Sequence, residues 1–334
     1  MKMKKNRSRA LAVLGIGMLF CLMVSVLPVQ AQFLELPRVS PAMKVTGTIG
    51  LTRVTIDYSS PGVKGREIWG KLVPYGLTTF QFGTGKPAPW RAGANENTVI
   101  TFSDDVKVNG KDLAAGSYGL HMITGKDEWT IIFSKNYTSW GSFFYDPGED
   151  ALRIKVKPEN VPFMEWLTYG FENFKENSAD VFLHWEKLKV TFKIEVDNDR
   201  LVMQSIKNQL RSTAGFTWMG YTQAASYYFR KNTHLDQALK WVKQSISMTE
   251  NERNRNLLGY ILLAQNKTEE ALQVFKENVK KFPNSWNVYD SLAECFSKQG
   301  NKKQAVKYYK MALKKAPDNQ KKRIEGTLKK LQGK

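Results

Sequence analysis

Apolar and polar side chains alternate along residues 32–197 with the period of a β-strand. The alternation is clearest in residues 53–58 and 189–196, where every second position is apolar. Side chains of a strand point to opposite faces in turn, so this pattern predicts strands with one buried face. Asn109-Gly110 predicts a tight hairpin turn. The predicted strands span residues 44–48, 53–58, 98–102, 106–108, 117–123, 129–133, 152–156, 166–171, 179–185 and 189–196.

These short strands have no amphipathic helix between them. Parallel sheets need helical crossovers, so the strands are predicted to pair antiparallel. Residues 32–197 are therefore predicted to form an all-β antiparallel sandwich or jelly-roll-like domain.

Residues 198–334 follow the helical period instead, and the pattern recurs about every 34 residues. With Trp286 as position 1, large, small and turn residues recur at positions 4, 7, 8, 11, 20, 24, 27 and 32. A step of 34 residues back to Glu252, and a further step of 33 back to Met219, finds the pattern again, more weakly in the first unit. The predicted units span about 219–251, 252–285 and 286–319, followed by a capping helix at 320–332.

This pattern resembles the tetratricopeptide repeat family over residues 219–319. The resemblance implies an all-α array whose first helices line a concave groove, and such grooves suit extended peptides. An alternative is that the repeats only dock on the β-domain or join copies of the chain. The groove candidates are Gln223, Tyr227, Arg230, Arg253, Asn256, Tyr260, Asn287 and Asp290.

The N-terminus has the three parts of a secretory signal peptide. Five basic residues precede the apolar run 10–27, and Val29 and Ala31 are the small residues before a predicted cut at Gln32. Residues 1–31 are thus predicted to be removed, and the protein to be periplasmic or otherwise exported. The apolar run is long enough to leave an uncleaved membrane anchor as the alternative.

Charge divides the remaining chain. Residues 32–197 hold 19 Lys and Arg against 20 Asp and Glu, whereas residues 198–334 hold 26 against 11, a net charge of +15. This balance predicts a protein or peptide partner of acidic character, and a soluble helical surface is the alternative. For an exported protein no nucleic-acid partner is expected, and contact with a membrane is expected only through an uncleaved leader.

Residues 60–97 interrupt the strand pattern with glycine, proline and aromatic residues. Together with later segments they resemble an exported family known as domain of unknown function 2911, over about residues 36–197. The resemblance implies a β-domain without an established activity, and this chain departs from the family in an enlarged connection at Leu77–Pro89. It rests on Ser40-Pro41, Gly65-Arg66, Pro74-Tyr75-Gly76, the stretch Trp90 to Thr98, Gly116-Ser117-Tyr118, Trp129, Ile131 to Phe133 and Trp185-Glu186.

Long irregular segments of this kind commonly carry binding residues. Arg91 beside Trp90 could stack or pair with Glu96, and an internal Arg91–Glu96 ion pair that fixes the loop is the alternative to a binding role. The candidate residues of the β-domain are Arg66, Trp90, Arg91, Asn95 and Glu96.

No motif for a known catalytic centre is present: the sequence lacks HExxH, a nucleophile elbow and a phosphate-binding glycine loop. The leading hypothesis is an exported, non-enzymatic protein that binds protein through its repeats, without a metal or cofactor. One alternative is carbohydrate or cell-wall binding by the β-domain, with Trp69, Trp90 and Trp140 as stacking platforms. A second alternative is an envelope enzyme that uses Glu96 with His121 or His184.

Overall fold

A computed structural model describes residues 36–333. The predicted signal peptide lies outside this range. Residues 42–196 form two antiparallel sheets, one of six strands in the order β1-β2-β5-β8-β9-β10 and one of four strands in the order β11-β12-β6-β7, with β3 and β4 as a small separate ribbon. The strands are β1 (Ala42–Ile49), β2 (Thr52–Ser59), β3 (Thr78–Thr79), β4 (Pro87–Ala88), β5 (Thr98–Phe102), β6 (Val106–Val108), β7 (Lys111–Leu113), β8 (Gly116–Ile123), β9 (Trp129–Ser134), β10 (Asp150–Val156), β11 (Glu159–Glu172) and β12 (Ser178–Val196).

The alternation in the sequence becomes the inner faces of the two sheets. Val54 and Ile56 of one sheet and Val190 and Phe192 of the other are buried in a single hydrophobic core, as period-two burial requires. The predicted turn at Asn109-Gly110 joins β6 to β7, and both of its residues have positive φ, which the tight hairpin turn demands.

One strand differs from the prediction. Residues 179–185 and 189–196 belong to a single strand, β12, rather than to two. The pattern is broken at Glu186, which has a φ of 55°, and the pairing of β11 with β12 is irregular there. The strand continues because residues on both sides of this irregularity remain paired with β11.

The second half is a chain of helices that pack in sequence order. Consecutive helices α2 with α3, α4 with α5 and α6 with α7 form antiparallel pairs, and α8 covers the end of the last pair. No helix within residues 36–333 combines the length and apolar character needed to cross a membrane. The helices are α1 (Asn198–Gln209), α2 (Trp218–Lys231), α3 (Leu235–Met248), α4 (Glu252–Ala264), α5 (Thr268–Lys281), α6 (Trp286–Lys298), α7 (Lys302–Lys315) and α8 (Asp318–Leu331).

The first helices of the three pairs begin at Trp218, Glu252 and Trp286, so each begins 34 residues after the one before. The sequence analysis used a step of 33 for the first unit, which places its first helix one residue too late. The extra residue lies in the turn between α2 and α3, where Asn232 and His234 both have positive φ. The shift matters because one residue rotates a helical position by about 100°.

Candidate functional site

The loop after β4 contains the candidates of the β-domain, and its contacts differ from those expected. Arg91 does not pair with Glu96. Its guanidinium donates to the backbone oxygen of Asn95 at 2.5 Å and lies 4.9 Å from the ring centre of Phe143. Glu96 instead pairs with Arg38 at 2.8 Å. The two side chains leave the loop in different directions, because Ala92 and Asn95 between them have positive φ.

A cavity of about 410 Å³ opens beside this loop. Trp90 and Trp185 line it with nearly parallel rings, whose centres are 6.1 Å apart. Arg91 lines it as well, whereas Asn95 and Glu96 do not. The cavity is lined by Val39, Ser40, Pro61, Gly62, Lys64, Arg66, Leu72, Val73, Pro74, Gly76, Thr78, Phe80, Trp90, Arg91, Gly93, Ala94 and Trp185.

Arg66 lines the cavity from the opposite loop and holds its own turn. Its guanidinium donates to the backbone oxygen of Gly62 at 2.6 Å and to that of Val63 at 3.1 Å. These bonds close the turn between residues 62 and 66. Arg66 therefore has a structural role in addition to its place at the cavity.

The tryptophans predicted as sugar-stacking platforms do not form an exposed row. Trp69 lies among three other indole rings, with centres 4.8 Å from Trp129, 5.7 Å from Trp185 and 5.9 Å from Trp90. Its ring is packed against the core of the domain because it fills the space between the sheets and the loop. Trp140 is exposed but does not line the cavity. A flat three-tryptophan platform is thus not formed.

Glu96 and the two histidines of the proposed enzyme site have separate partners. His121 is buried, 2% exposed, and is hydrogen-bonded to Ser142 at 3.0 Å. His184 donates to the backbone oxygen of Pro162 at 2.9 Å. Burial, helped by the positive charge of Arg91, lowers the pKa of His121 to about 4. His121 is therefore neutral at pH 7, and the structure does not join Glu96 to either histidine.

The described part of the chain contains no group of three His, Cys, Asp or Glu side chains that could hold a metal ion.

The second candidate site is the face formed by α2, α4 and α6, which we call the concave face. Tyr260 of α4 connects the three helices: its ring lies 6.1 Å from that of Phe229 on α2, and its hydroxyl donates to Glu294 on α6 at 2.7 Å. Arg253 and Asn256 lie one and two turns before Tyr260 on α4, on the same side of the helix. Arg253 is exposed.

On α6, the candidates of the concave face are held by neighbouring elements. Asn287 donates to Glu252 at 3.0 Å. Asp290 pairs with Arg323 of α8 at 2.9 Å, and the guanidinium of Arg323 lies 5.9 Å from the ring centre of Trp286. The capping helix thus supplies a cation at one end of the face.

The candidates on α2 are displaced from this face by the one-residue shift in register. Gln223 and Tyr227 line a separate cavity of about 290 Å³ between α2 and α1, which Leu51 of the β-domain also lines. Lys231 lies over the ring of Tyr227 and pairs with Glu176 of the β-domain. The prediction that Gln223, Tyr227 and Arg230 line the groove was therefore wrong for α2.

The residues that take their places on α2 are Met219, Thr222, Ser226 and Phe229, each one position earlier. Met219 and Thr222 line a cavity of about 310 Å³ together with Arg253. The signal for them was the 34-residue spacing back from Glu252, which leads to Trp218. Arg323 was missed because the capping helix was considered only for its buried stripe.

Two oxygen atoms on the concave face are buried without a hydrogen-bond partner within residues 36–333: Oδ1 of Asn256 and Oδ1 of Asp290. A buried polar atom without a partner costs about 1–3 kcal/mol. Burial, opposed by Arg323, raises the pKa of Asp290 above its ordinary value. Both atoms lack a donor, which a ligand lying along this face could supply.

Comparisons with known proteins agree with the division into two parts. Residues 40–194 match the family described as "Protein of unknown function (DUF2911)", and residues 262–324 match the tetratricopeptide repeat. No curated protein matches the chain.

Solved structures resemble one part of the chain. The crystal structure of MamA is 19% identical with a TM-score of 0.30, and the match covers 34% of this chain and 65% of that one. PcrH from Pseudomonas aeruginosa is 16% identical with a TM-score of 0.32, over 34% of this chain and 91% of that one. PcrH in complex with the chaperone binding region of PopD is 17% identical with a TM-score of 0.31, over 34% of this chain and 89% of that one.

The matched families and the observed folds coincide along the chain. The two-sheet domain at 42–196 contains nearly all of the first match, and the second match runs from α4 into α8. The chain therefore carries a domain of the DUF2911 family followed by tetratricopeptide repeats.

Proposed function

We propose that the chain is an exported, non-enzymatic protein whose repeats bind a protein partner through the concave face. The observation that carries this proposal is the pair of buried oxygens without partners, Asn256 Oδ1 and Asp290 Oδ1. An extended peptide has one backbone N–H for each residue other than proline, and such donors would satisfy both atoms.

The side chains around these atoms suit a peptide ligand. Aromatic rings and arginines contribute most of the affinity in many protein interfaces. Phe229 and Tyr260 are partly exposed in the middle of the concave face, and the exposed side chain of Met219 offers a flexible apolar contact at its start. Rigid helices hold these groups in place before binding, which lowers the entropy cost of association.

The charge of the helical half favours an acidic partner. Residues 198–334 carry a net charge of +15, and Arg253 has no carboxylate within ion-pair distance in the described range. A positive surface attracts an acidic chain from a distance and raises the rate of association. Because such attraction is screened by salt, the affinity should fall as the ionic strength rises.

The export of the protein belongs to the same proposal and rests on the N-terminal sequence. Five basic residues, an apolar run and small residues before Gln32 support a cleaved leader. Intact-mass measurement of protein from the cell envelope tests this point. A chain that begins at Gln32 would support export, and a chain that keeps residues 1–31 in the membrane fraction would contradict cleavage.

Peptide binding can be tested on the purified full-length chain with a displayed library of random peptides. Selected peptides are labelled with fluorescein and titrated by anisotropy at 0.05 and 0.5 M salt. We expect acidic peptides, with affinity that falls at least tenfold in Arg253→Glu and falls with salt. Lys303→Glu on the outer side of α7 makes the same charge change and should alter affinity less than threefold. Equal effects of the two substitutions would contradict binding at the concave face.

A further inference from the structure

The cavity of the β-domain has the charge of an anion-binding site. Its lining includes the cations Lys64, Arg66 and Arg91, and no aspartate or glutamate lines it. The rest of the lining is largely apolar or backbone, with Trp90 and Trp185 as the largest surfaces. At about 410 Å³ the cavity lies within the usual range for small-molecule sites.

Arg91 is the cation that most needs an anionic partner. It is partly buried, and within residues 36–333 no carboxylate lies within ion-pair distance of it. Burial lowers the pKa of Arg91, which means that its surroundings disfavour its charge. The Asn95 carbonyl and the Phe143 ring compensate this cost in part. A buried cation without a counter-ion is unfavourable, and a bound anion would remove that penalty.

The mouth of the cavity is apolar and open to solvent. Val39 and Leu72 line it and are 75% and 45% exposed. Phe80 adds an aromatic edge from the enlarged connection at 77–89. A ligand that enters here meets an apolar rim first and the cations further along the wall.

We infer that this cavity binds a small organic acid, a molecule with one carboxylate and a ring-sized body. The carboxylate lies toward Arg91, whose planar guanidinium can donate two parallel hydrogen bonds to it. The ring packs against Trp90, which presents a flat face to either an aromatic ring or the apolar face of a sugar. This site is separate from the concave face of the repeats and does not depend on the proposed function.

Matched acid and amide pairs test the inference by isothermal titration calorimetry on the full-length chain. The aromatic pair is 2-naphthoate and 2-naphthamide, and the sugar pair is glucuronate and glucuronamide. We expect at least one acid to bind tenfold or more tightly than its amide. Preference in the first pair assigns an aromatic acid, and preference in the second assigns a sugar acid.

Substitutions then locate the binding. Arg91→Gln should reduce the preference for the acid to less than twofold, while Arg91→Lys should keep part of it because the charge remains. Arg53→Gln removes an exposed arginine on β2 and should change nothing. Leu72→Trp fills the exposed rim without disturbing the core, so it should weaken both members of a pair at least tenfold, even if Arg91→Gln fails to fold.

Three results would overturn the inference. The first is equal binding of an acid and its amide in the unmodified chain. The second is the absence of binding by both pairs at millimolar concentration, and the third is binding that Leu72→Trp leaves unchanged.

Discussion

His121 is a titratable side chain held without charge inside the β-domain. Its ring is 2% exposed, contacts Ser142 and Tyr145, and lies near enough to Arg91 for the charge of that residue to be felt. Burial first, and Arg91 second, lower its pKa to about 4 from an ordinary value of 6.5. Such a group couples folding to pH.

We expect the β-domain to lose stability as the pH falls from about 6.5 to about 4. In this window the unfolded chain binds a proton at His121 and the folded chain does not, so acid favours unfolding. The loss from this residue is about 3 kcal/mol across the window. Urea unfolding followed by tryptophan fluorescence at several pH values measures it. His121→Gln should flatten the dependence, and a variant with the slope of the unmodified chain would contradict the assignment.

A single residue also decided how well the sequence predicted the repeat face. The turn between α2 and α3 holds one residue more than the corresponding turns, with Asn232 and His234 in the left-handed region. The periodicity of α3 was easier to align than that of α2, so the alignment placed the extra residue before α2 instead of after it. Gln223 was consequently assigned to the concave face in place of Thr222. A turn of this kind leaves no apolar signature in the sequence.

At the scale of elements, small residues set how closely the helices of one pair approach. Gly259 of α4 faces Phe275 of α5, and a β-carbon on Gly259 would lie 2.5 Å from the ring of Phe275. Phe275 is fully buried and cannot move aside into solvent. Gly326 of α8 lies in a helix too, but a β-carbon there would meet nothing within 4 Å.

The two glycines should respond to alanine in opposite directions. Gly259→Ala should lower the stability of the helical half, since overpacking costs about 1–3 kcal/mol and outweighs the gain in helix propensity. Gly326→Ala should raise it by roughly 0.5–1 kcal/mol through propensity alone. Thermal unfolding followed by circular dichroism at 222 nm compares them. Stabilisation by both substitutions would contradict the close contact of α4 with α5.

Elements with strong periodicity were predicted well, and those defined by long-range contacts were not. The alternation in residues 53–58 and 98–102 identified β2 and β5 because one face of each is buried. The continuity of β12 could not be predicted, since it depends on pairing with β11 across an irregularity at Glu186. The cavity was only partly foreseen for the same reason. Trp90, Arg91 and Arg66 were candidates, but Trp185 and Leu72 reach it from distant parts of the sequence.

At the scale of the whole molecule, two parts of different charge are joined by specific contacts. Asn198, at the start of α1, packs against Gly50 in the turn between β1 and β2. Lys231 at the end of α2 pairs with Glu176 of the loop before β12. These contacts use the side of α2 that carries Tyr227, which leaves the concave face directed away from this junction.

The concave face and the cavity therefore make independent contributions in this account. A variant of the concave face should keep the binding of a small acid, and Leu72→Trp should keep the binding of a peptide. The central claim concerns the concave face, because the proposed function depends on it.

The most direct measurement is site-specific photo-crosslinking in the cells that produce the protein. A photoreactive phenylalanine analogue replaces Met219 or Arg253 on the concave face, or Lys243 or Lys303 on the outer sides of α3 and α7. The account predicts one discrete crosslinked partner from Met219 and from Arg253, absent from both outer positions and lost when Arg253→Glu is combined with the probe at Met219. Crosslinks to the same partner from Lys243 or Lys303, or none from either concave position, would contradict it.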